Sequence, residues 1–261
     1  MTEPSLVEFK DILNNFIDEQ ESSIGLKASH KGKISLKDIL NNEENCKYDY
    51  PSSPGKPNLN HIKSTGETAF QRAIFNGIET ELTNGTELIN KVRWLDLELP
   101  VTLNKNSRRR CLDLVGSLDH SDSPVLCELK FCTNCDSYAS NHPVYAIVEL
   151  LVYYYLLLSN YENLDDRKVY HKLDGMRNFT WSTFLKRAPV LLIVAANESY
   201  WKYWYKRIES KDQLVKGTYE LEKNLNTKIH LFVTQDENFS KLTNGEGYRP
   251  TVSSFTWSII K

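Results

Sequence analysis

Apolar residues recur along this chain with two different periods, and the changes of period divide it into elements. Near the start, Leu6, Phe9, Ile12, Leu13 and Phe16 fall three and four apart, which predicts a short amphipathic helix. The polar region that follows ends in YDYPSSPGKPNLN (48–60), a run of turn formers that reads as a loop or linker. A second helix is expected from about Ser64–Gly66 to about Leu82, with Ala69, Phe70, Ala73, Ile74 and Ile78 as its buried stripe. Strand-like patterns then take over. Val92–Leu103 is expected as the first strand, with Pro100 marking a bend or an edge. Cys111–Leu118 and Val125–Phe131 follow as a pair around a polar turn. Pro143–Ser159 is apolar nearly all round, so it is expected as a buried helix, with proline in its first turn and His142 or Asn141 as cap. Pro189–Ala196 reads as a fully buried strand of the kind found centrally in an α/β sheet. Ser199–Lys211 places Trp201, Trp204, Tyr205 and Ile208 at helical core spacing, and Lys228–Thr234 and Val252–Ile260 read as further strands. The chain therefore divides into an N-terminal helical extension, 1–60, and an α/β domain, 61–261. The hexapeptide KDILNN occurs twice, at Lys10–Asn15 and Lys37–Asn42, too few copies for a solenoid.

The chemistry concentrates in the two paired strands. If Asp119 and Asp122 bracket the turn, the residue numbers of antiparallel partners sum to a constant, and Asp113 and Glu128 share that sum. Their Cβ atoms would then lie on one face within roughly 5 Å. Glu128 and Lys130 are two apart and share a face, while Leu129 points the other way. Buried charges are costly unless paired or bound to a metal, and two adjacent carboxylates suit a hard divalent cation. Such an ion activates water and neutralises charge on a phosphoryl oxygen, and a neighbouring lysine assists. The bland alternative is a surface ladder of Asp, Lys and Glu.

At Asp113 and Glu128-Leu129-Lys130 the sequence resembles the PD-(D/E)XK nuclease superfamily, which has an aspartate on one strand and Glu-x-Lys on the next. The predicted order α-β-β-β-α-β-α-β-β from Gly66 onward resembles the αβββαβ core of restriction-endonuclease-like proteins. The resemblance covers about residues 64–200 and implies a mixed central sheet flanked by helices, with added C-terminal strands and the N-terminal helical extension. It also implies a magnesium-dependent nuclease, with manganese as a substitute ion, acting on nucleic acid and in the first instance on DNA. Asp113, Glu128 and the backbone carbonyl of Leu129 would hold the metal, Lys130 would position or activate water, and Glu67 would extend the acidic cluster. Glu67 lies seven residues before Ile74, hence about 20° from it around the helix, so it projects from the apolar side. A capping box with Ser64 is the competing role for Glu67. Glu149 is the only charge between Pro143 and Leu158. It occupies the place where the family's helix carries a polar residue facing the site. Lys130 is one partner for it and a tyrosine hydroxyl the other.

Composition narrows this reading without redirecting it. The 261 residues are 40% hydrophobic and 25% charged with a net charge of −2, so nucleic-acid binding would need a local patch, for which Arg108, Arg109 and Arg110 are candidates. The longest apolar run is interrupted by Glu149, and no secretory leader pattern is visible, so no membrane association is expected. Five cysteines, an odd number, favour reduced thiols and a cytoplasmic home. Cys132 and Cys135 have C-x-x-C spacing, but with Cys127 they make only three candidates and read as ordinary thiols. G-x-S-x-G, P-loop and H-E-x-x-H patterns are missing. A homodimer would suit cutting of both strands of a duplex, though no interface is legible. The rival to catalysis is a module of the same fold that binds nucleic acid or protein without cutting.

Overall fold

The computed structural model describes residues 4–24, 35–42, 66–77, 79–102, 110–132, 142–160, 180–186, 190–206, 211–234, 239–241, 248–250 and 254–260. In chain order these form helices α1 (Leu6–Ile24), α2 (Leu36–Asn41) and α3 (Gly66–Asn76), then strands β1 (Glu79–Asn84), β2 (Glu87–Thr102), β3 (Arg110–Leu118) and β4 (Pro124–Lys130). Helices α4 (Pro143–Asn160) and α5 (Trp181–Leu185) follow, then β5 (Leu191–Asn197), α6 (Glu198–Tyr205), α7 (Lys211–Leu225), β6 (Lys228–Thr234), β7 (Phe239–Lys241), β8 (Tyr248–Pro250) and β9 (Ser254–Ile259).

Seven of the strands close into a mixed barrel in the order β1-β2-β3-β4-β5-β6-β9, with β7 and β8 as a separate pair. This corrects the expected restriction-endonuclease-like architecture, an open mixed sheet flanked by helices. The closure is made by β9, which runs parallel to β1 (Thr80 opposite Phe255) and antiparallel to β6 (Thr234 opposite Trp257). One strand thus satisfies both free edges, and closure removes the exposed rows of backbone donors and acceptors that an open sheet must protect. Nothing in the local pattern of Val252–Ile260 announces a two-sided partner.

β1 is one of the elements the sequence reading missed, with α7 and the β7–β8 pair. The expected helix to Leu82 ends at Asn76, and Glu79–Asn84 turns back as a hairpin with β2 around Gly85, whose φ of +62° suits glycine. Val92 is opposite Thr80 and Glu87 opposite Asn84, so residues 94–102 of β2 have β3 alone beside them. Pro100 lies in that one-sided stretch, opposite Cys111 and beside an irregularity in the register. The helix expected over Ser199–Lys211 stops at Tyr205, and α7 follows as a separate helix.

The side chains divide into an inner and an outer core. The inner cluster takes residues from every barrel strand, among them Leu82, Trp94, Leu114, Cys127, Ile193, Phe232 and Trp257, together with Phe70, Ala73 and Ile74 of α3. Gly116 makes room there: a Cβ on it would lie 2.8 Å from Val92 and 2.9 Å from the Trp94 ring. The outer cluster joins Leu99, Leu126, Val194 and Leu231 of the sheet to α1, α2, α4, α5, α6 and α7. Helix α4 is apolar and long enough to cross a membrane, but its side chains are mostly buried in this outer core. As expected, His142 caps it, its Nδ1 accepting the Val144 N–H at 3.1 Å, and burial lowers that imidazole to about pKa 4. The repeated hexapeptide has a structural consequence. Asn14 and Asn41, equivalent positions of the two copies, exchange side-chain amide bonds of 3.1 and 2.8 Å, while Leu13 and Leu40 are fully buried beside α4.

Candidate active site at the open end of the β3–β4 pair

The β3–β4 register is the one the turn predicts. Ser117 faces Pro124, Gly116 faces Val125, Val115 faces Leu126 and Leu114 faces Cys127, every pair summing to 241. The Leu118 N–H bonds the Ser123 carbonyl at 3.0 Å and closes the hairpin, with Asp122 at φ +51° in the turn. The ladder stops at Leu114–Cys127, although β4 continues to Lys130 and β3 begins at Arg110. Beyond that point, side chains replace backbone partners. Asp113 Oδ2 accepts the Leu129 N–H at 2.7 Å, and Glu67 Oε2 accepts the Phe131 N–H at 3.2 Å. From α3, Gln71 Nε2 donates to the Asp113 carbonyl at 2.7 Å and to Asp113 Oδ1 at 3.3 Å.

The strands also change face here. Leu97 and Leu99 of β2, two apart, belong to the inner and outer clusters respectively, and so do Leu114 and Leu112 of β3. The residue between each pair is Glu98, held at φ +50°, and Asp113. A non-glycine residue in the left-handed region carries strain that surrounding contacts must hold, and such positions concentrate at functional sites. Arg72 of α3 contacts Glu98 across 3.4 Å.

On β4, Glu128 and Lys130 alternate with the inward Cys127 and Leu129 and so face α4. Lys130 Nζ donates to Glu128 Oε1 at 2.5 Å and to Glu149 Oε2 at 3.1 Å, and the Tyr153 hydroxyl donates to Glu149 Oε1 at 3.0 Å. Both partners proposed for Glu149 are thus present at once. Lys130 is 3% exposed and Glu128 4% exposed, which excludes the surface ladder. As residues, Asp113 and Glu67 keep partial exposure, while the Asp113 carboxyl itself is desolvated.

The electrostatics follow from burial. Desolvation raises Asp113 to about pKa 7, with Lys130 opposing and Glu67 adding to the rise. Desolvation and the adjacent Asp113 push Glu128 well above the usual carboxylate range, against the pull of Lys130. Burial alone would lower Lys130, but Glu128 and Glu149 outweigh it and hold the ammonium charged. Glu149 goes the other way: burial raises it, while Lys130 and hydrogen bonds from Lys130, Glu128 and Tyr153 bring it below its ordinary value.

All five side chains singled out in the sequence, Asp113, Glu128, Lys130, Glu67 and Glu149, therefore converge on one place. Gln71 and Tyr153 join them. Each lies four residues after a singled-out glutamate on the same helix, Glu67 and Glu149, and that one-turn spacing was the available signal. Of the three arginines, Arg110 begins β3 and is partly buried, whereas Arg108 and Arg109 lie outside the described residues, as does Cys135. Cys132 is buried, its N–H and carbonyl both bonded to the Asn197 side chain. Trp201 packs in the outer core with Trp204 and Tyr205 against it, as a packed helix face requires, and Ile208 lies outside the described residues.

The fit to a divalent cation rests on donor chemistry. Glu128 Oε2 is buried and no N–H or O–H among the described residues reaches it, which leaves that oxygen a lone pair to give. Hard cations take such oxygens. Among the described residues, no three His, Cys, Asp or Glu side chains form a ready-made metal-holding group. The donors named from the sequence, Asp113, Glu128 and the Leu129 carbonyl, include only two side chains and so fall outside such a group. Comparison with family models, with curated proteins and with solved structures gives no match to this chain. The resemblance noted in the sequence rests on the site residues alone.

Proposed function

We propose that the chain is a divalent-metal-dependent phosphodiester hydrolase acting on nucleic acid, with DNA as the first substrate to test. The observation that carries this reading is the placement of Lys130 among Glu128, Glu149 and Asp113 where the β3–β4 ladder has opened. Magnesium or manganese held by Asp113, Glu128 and the Leu129 carbonyl would supply Lewis acidity and neutralise charge on the scissile phosphate. Lys130 donates from its ammonium to the attacking water or to a phosphate oxygen, favouring the charge that builds in the transition state. Glu149, fixed by Tyr153, holds that ammonium in place. Glu67 and Asp113, the partly exposed residues of the cluster, mark the side from which a phosphodiester would approach. The test incubates single- and double-stranded DNA and RNA with the protein and magnesium or manganese. Cutting by the wild type, lost in Asp113→Asn and in Lys130→Gln, is the expected result. No cutting of any of these substrates, or equal cutting by the variants, would sink the reading.

A second reading is favoured by burial. Lys130, Glu128 and Glu149 are all under 10% exposed, as in a polar cluster kept for the sake of a unique packing of α4 on the sheet. A folded protein that neither cuts nucleic acid nor binds manganese would select it.

A further inference from the structure

Resting on the hydrolase reading above, we propose that Gln71 is the positioning residue of this site. Its carboxamide holds Asp113 in the posture that receives a divalent cation, while touching neither cation nor substrate. The opening of β3 from β4 after Leu114–Cys127 creates the need for it. An opened strand leaves the Asp113 carbonyl without its ladder partner and the Asp113 side chain free to rotate. Gln71 answers both with one amide, 2.7 Å from the carbonyl and 3.3 Å from Oδ1. The Leu129 N–H, 2.7 Å from Oδ2, fixes the second oxygen. Three hydrogen bonds from two elements, α3 and β4, therefore set the backbone and the side chain of one carboxylate together. Each Asp113 oxygen has a lone pair left, because a carboxylate has about four acceptor sites.

Gln71 itself is anchored. It is 4% exposed, and its neighbours Phe70, Ala73 and Ile74 lock α3 into the inner core. A glutamine buried on a helix between apolar side chains loses hydration and gains packing only if its amide has a fixed partner. Its position one turn after Glu67, which binds the Phe131 N–H, makes α3 a brace for both opened strands. Groups that orient a ligand without touching the ion commonly govern metal affinity by about 10–100-fold.

The experiment is a calorimetric titration of the full chain with manganese, for the wild type, Gln71→Met and Ile74→Val. Methionine keeps the length of the side chain and loses the donor. Ile74→Val loosens the same helix without touching Asp113. The expected result is manganese binding by the wild type, binding weakened about tenfold or more in Gln71→Met, and wild-type affinity in Ile74→Val. Equal affinity in wild type and Gln71→Met overturns the assignment while the hydrolase reading stands. Equal weakening in both variants overturns it too, since Gln71 would then act only through helix stability. A wild type that binds no manganese overturns the hydrolase reading and this assignment with it. Should Gln71→Met fail to fold, Gln71→Asn, which keeps an amide one methylene too short to reach, is read by the same outcomes.

Discussion

The two ends of the β3–β4 pair are built from adjacent residues and obey opposite rules. From Ser117–Pro124 to Leu114–Cys127 the backbone ladder is continuous, and the paired residues are all uncharged and, apart from Ser117, mostly apolar. Beyond it the ladder ends, and Asp113, Glu67 and Gln71 stand in for strand partners. The difference teaches where buried charge can be kept. A closed ladder leaves no backbone donors over, whereas an opened one supplies N–H groups at Leu129 and Phe131 that stabilise carboxylates. The charged cluster is therefore a property of the opening and not of the strands as such.

Several substitutions would sharpen or break that contrast. The largest effect is expected at Lys130. Lys130→Met should lower nucleic-acid cleavage by about 100-fold or more. It should also destabilise the fold by about 3–5 kcal/mol, because Glu128 and Glu149 are left buried without their cation. Manganese binding should persist, since an ammonium has no lone pair for a metal. Chemical denaturation and calorimetry on one preparation check all three, and a loss below about 1 kcal/mol would place Lys130 with exposed ion pairs instead.

The ion should next distinguish the open end from the closed one. Magnesium or manganese should bind the folded state and so raise the melting temperature of the wild type. Asp113→Asn should weaken that response, and equal shifts in both proteins would place the ion elsewhere. The metal-free protein should respond to pH through the same group. Asp113 is raised from 3.8 to about 7 by burial, so the folded chain keeps a proton there that the unfolded chain has lost. Its contribution is fully present below the unfolded value and is lost as pH rises toward 7. Glu128 acts in the same direction and Glu149 in the opposite one. Without metal, the melting temperature should fall between about pH 4 and pH 7, and Asp113→Asn should flatten the fall. A profile unchanged by Asp113→Asn would contradict the burial of that carboxyl.

At the closed end the response should be steric. A Cβ on Gly116 would lie 2.7 Å from the Arg93 carbonyl oxygen and 2.9 Å from Trp94. Gly116→Ala should cost about 1–3 kcal/mol and leave manganese affinity unchanged. A change in affinity would show that the two ends are coupled. An effect of similar size is expected for Tyr153→Phe, which removes the hydroxyl 3.0 Å from Glu149. A loss of about 1–3 kcal/mol, typical of a hydrogen bond to a charged group, should appear in urea denaturation.

Local pattern carried much of this molecule. Alternation around Asp119–Asp122 determined the register from Ser117–Pro124 to Leu114–Cys127, because antiparallel pairing conserves a sum once the turn is known, but the Asp113–Glu128 pair that the same sum predicts lies beyond the end of the ladder. Helical spacing determined that Glu67 and Glu149 project from apolar faces, and the uniform hydrophobicity of Pro143–Ser159 determined a buried helix. β6 and the core of β9 were legible for the same reason. What the sequence could not decide depends on partners distant along the chain. Glu79–Asn84 is too polar to look like a strand and becomes one because β2 and β9 flank it. Closure of the barrel is a two-sided pairing of β9 with strands far before it, and no period of two or of 3.6 encodes which edge a strand will meet. The site divides in the same way. Its charged residues could be named from strand and helix periodicity, but the tertiary structure alone decided that the ladder stops at Leu114–Cys127. The Phe131 N–H meets a carboxylate only because α3 is packed close enough to supply Glu67.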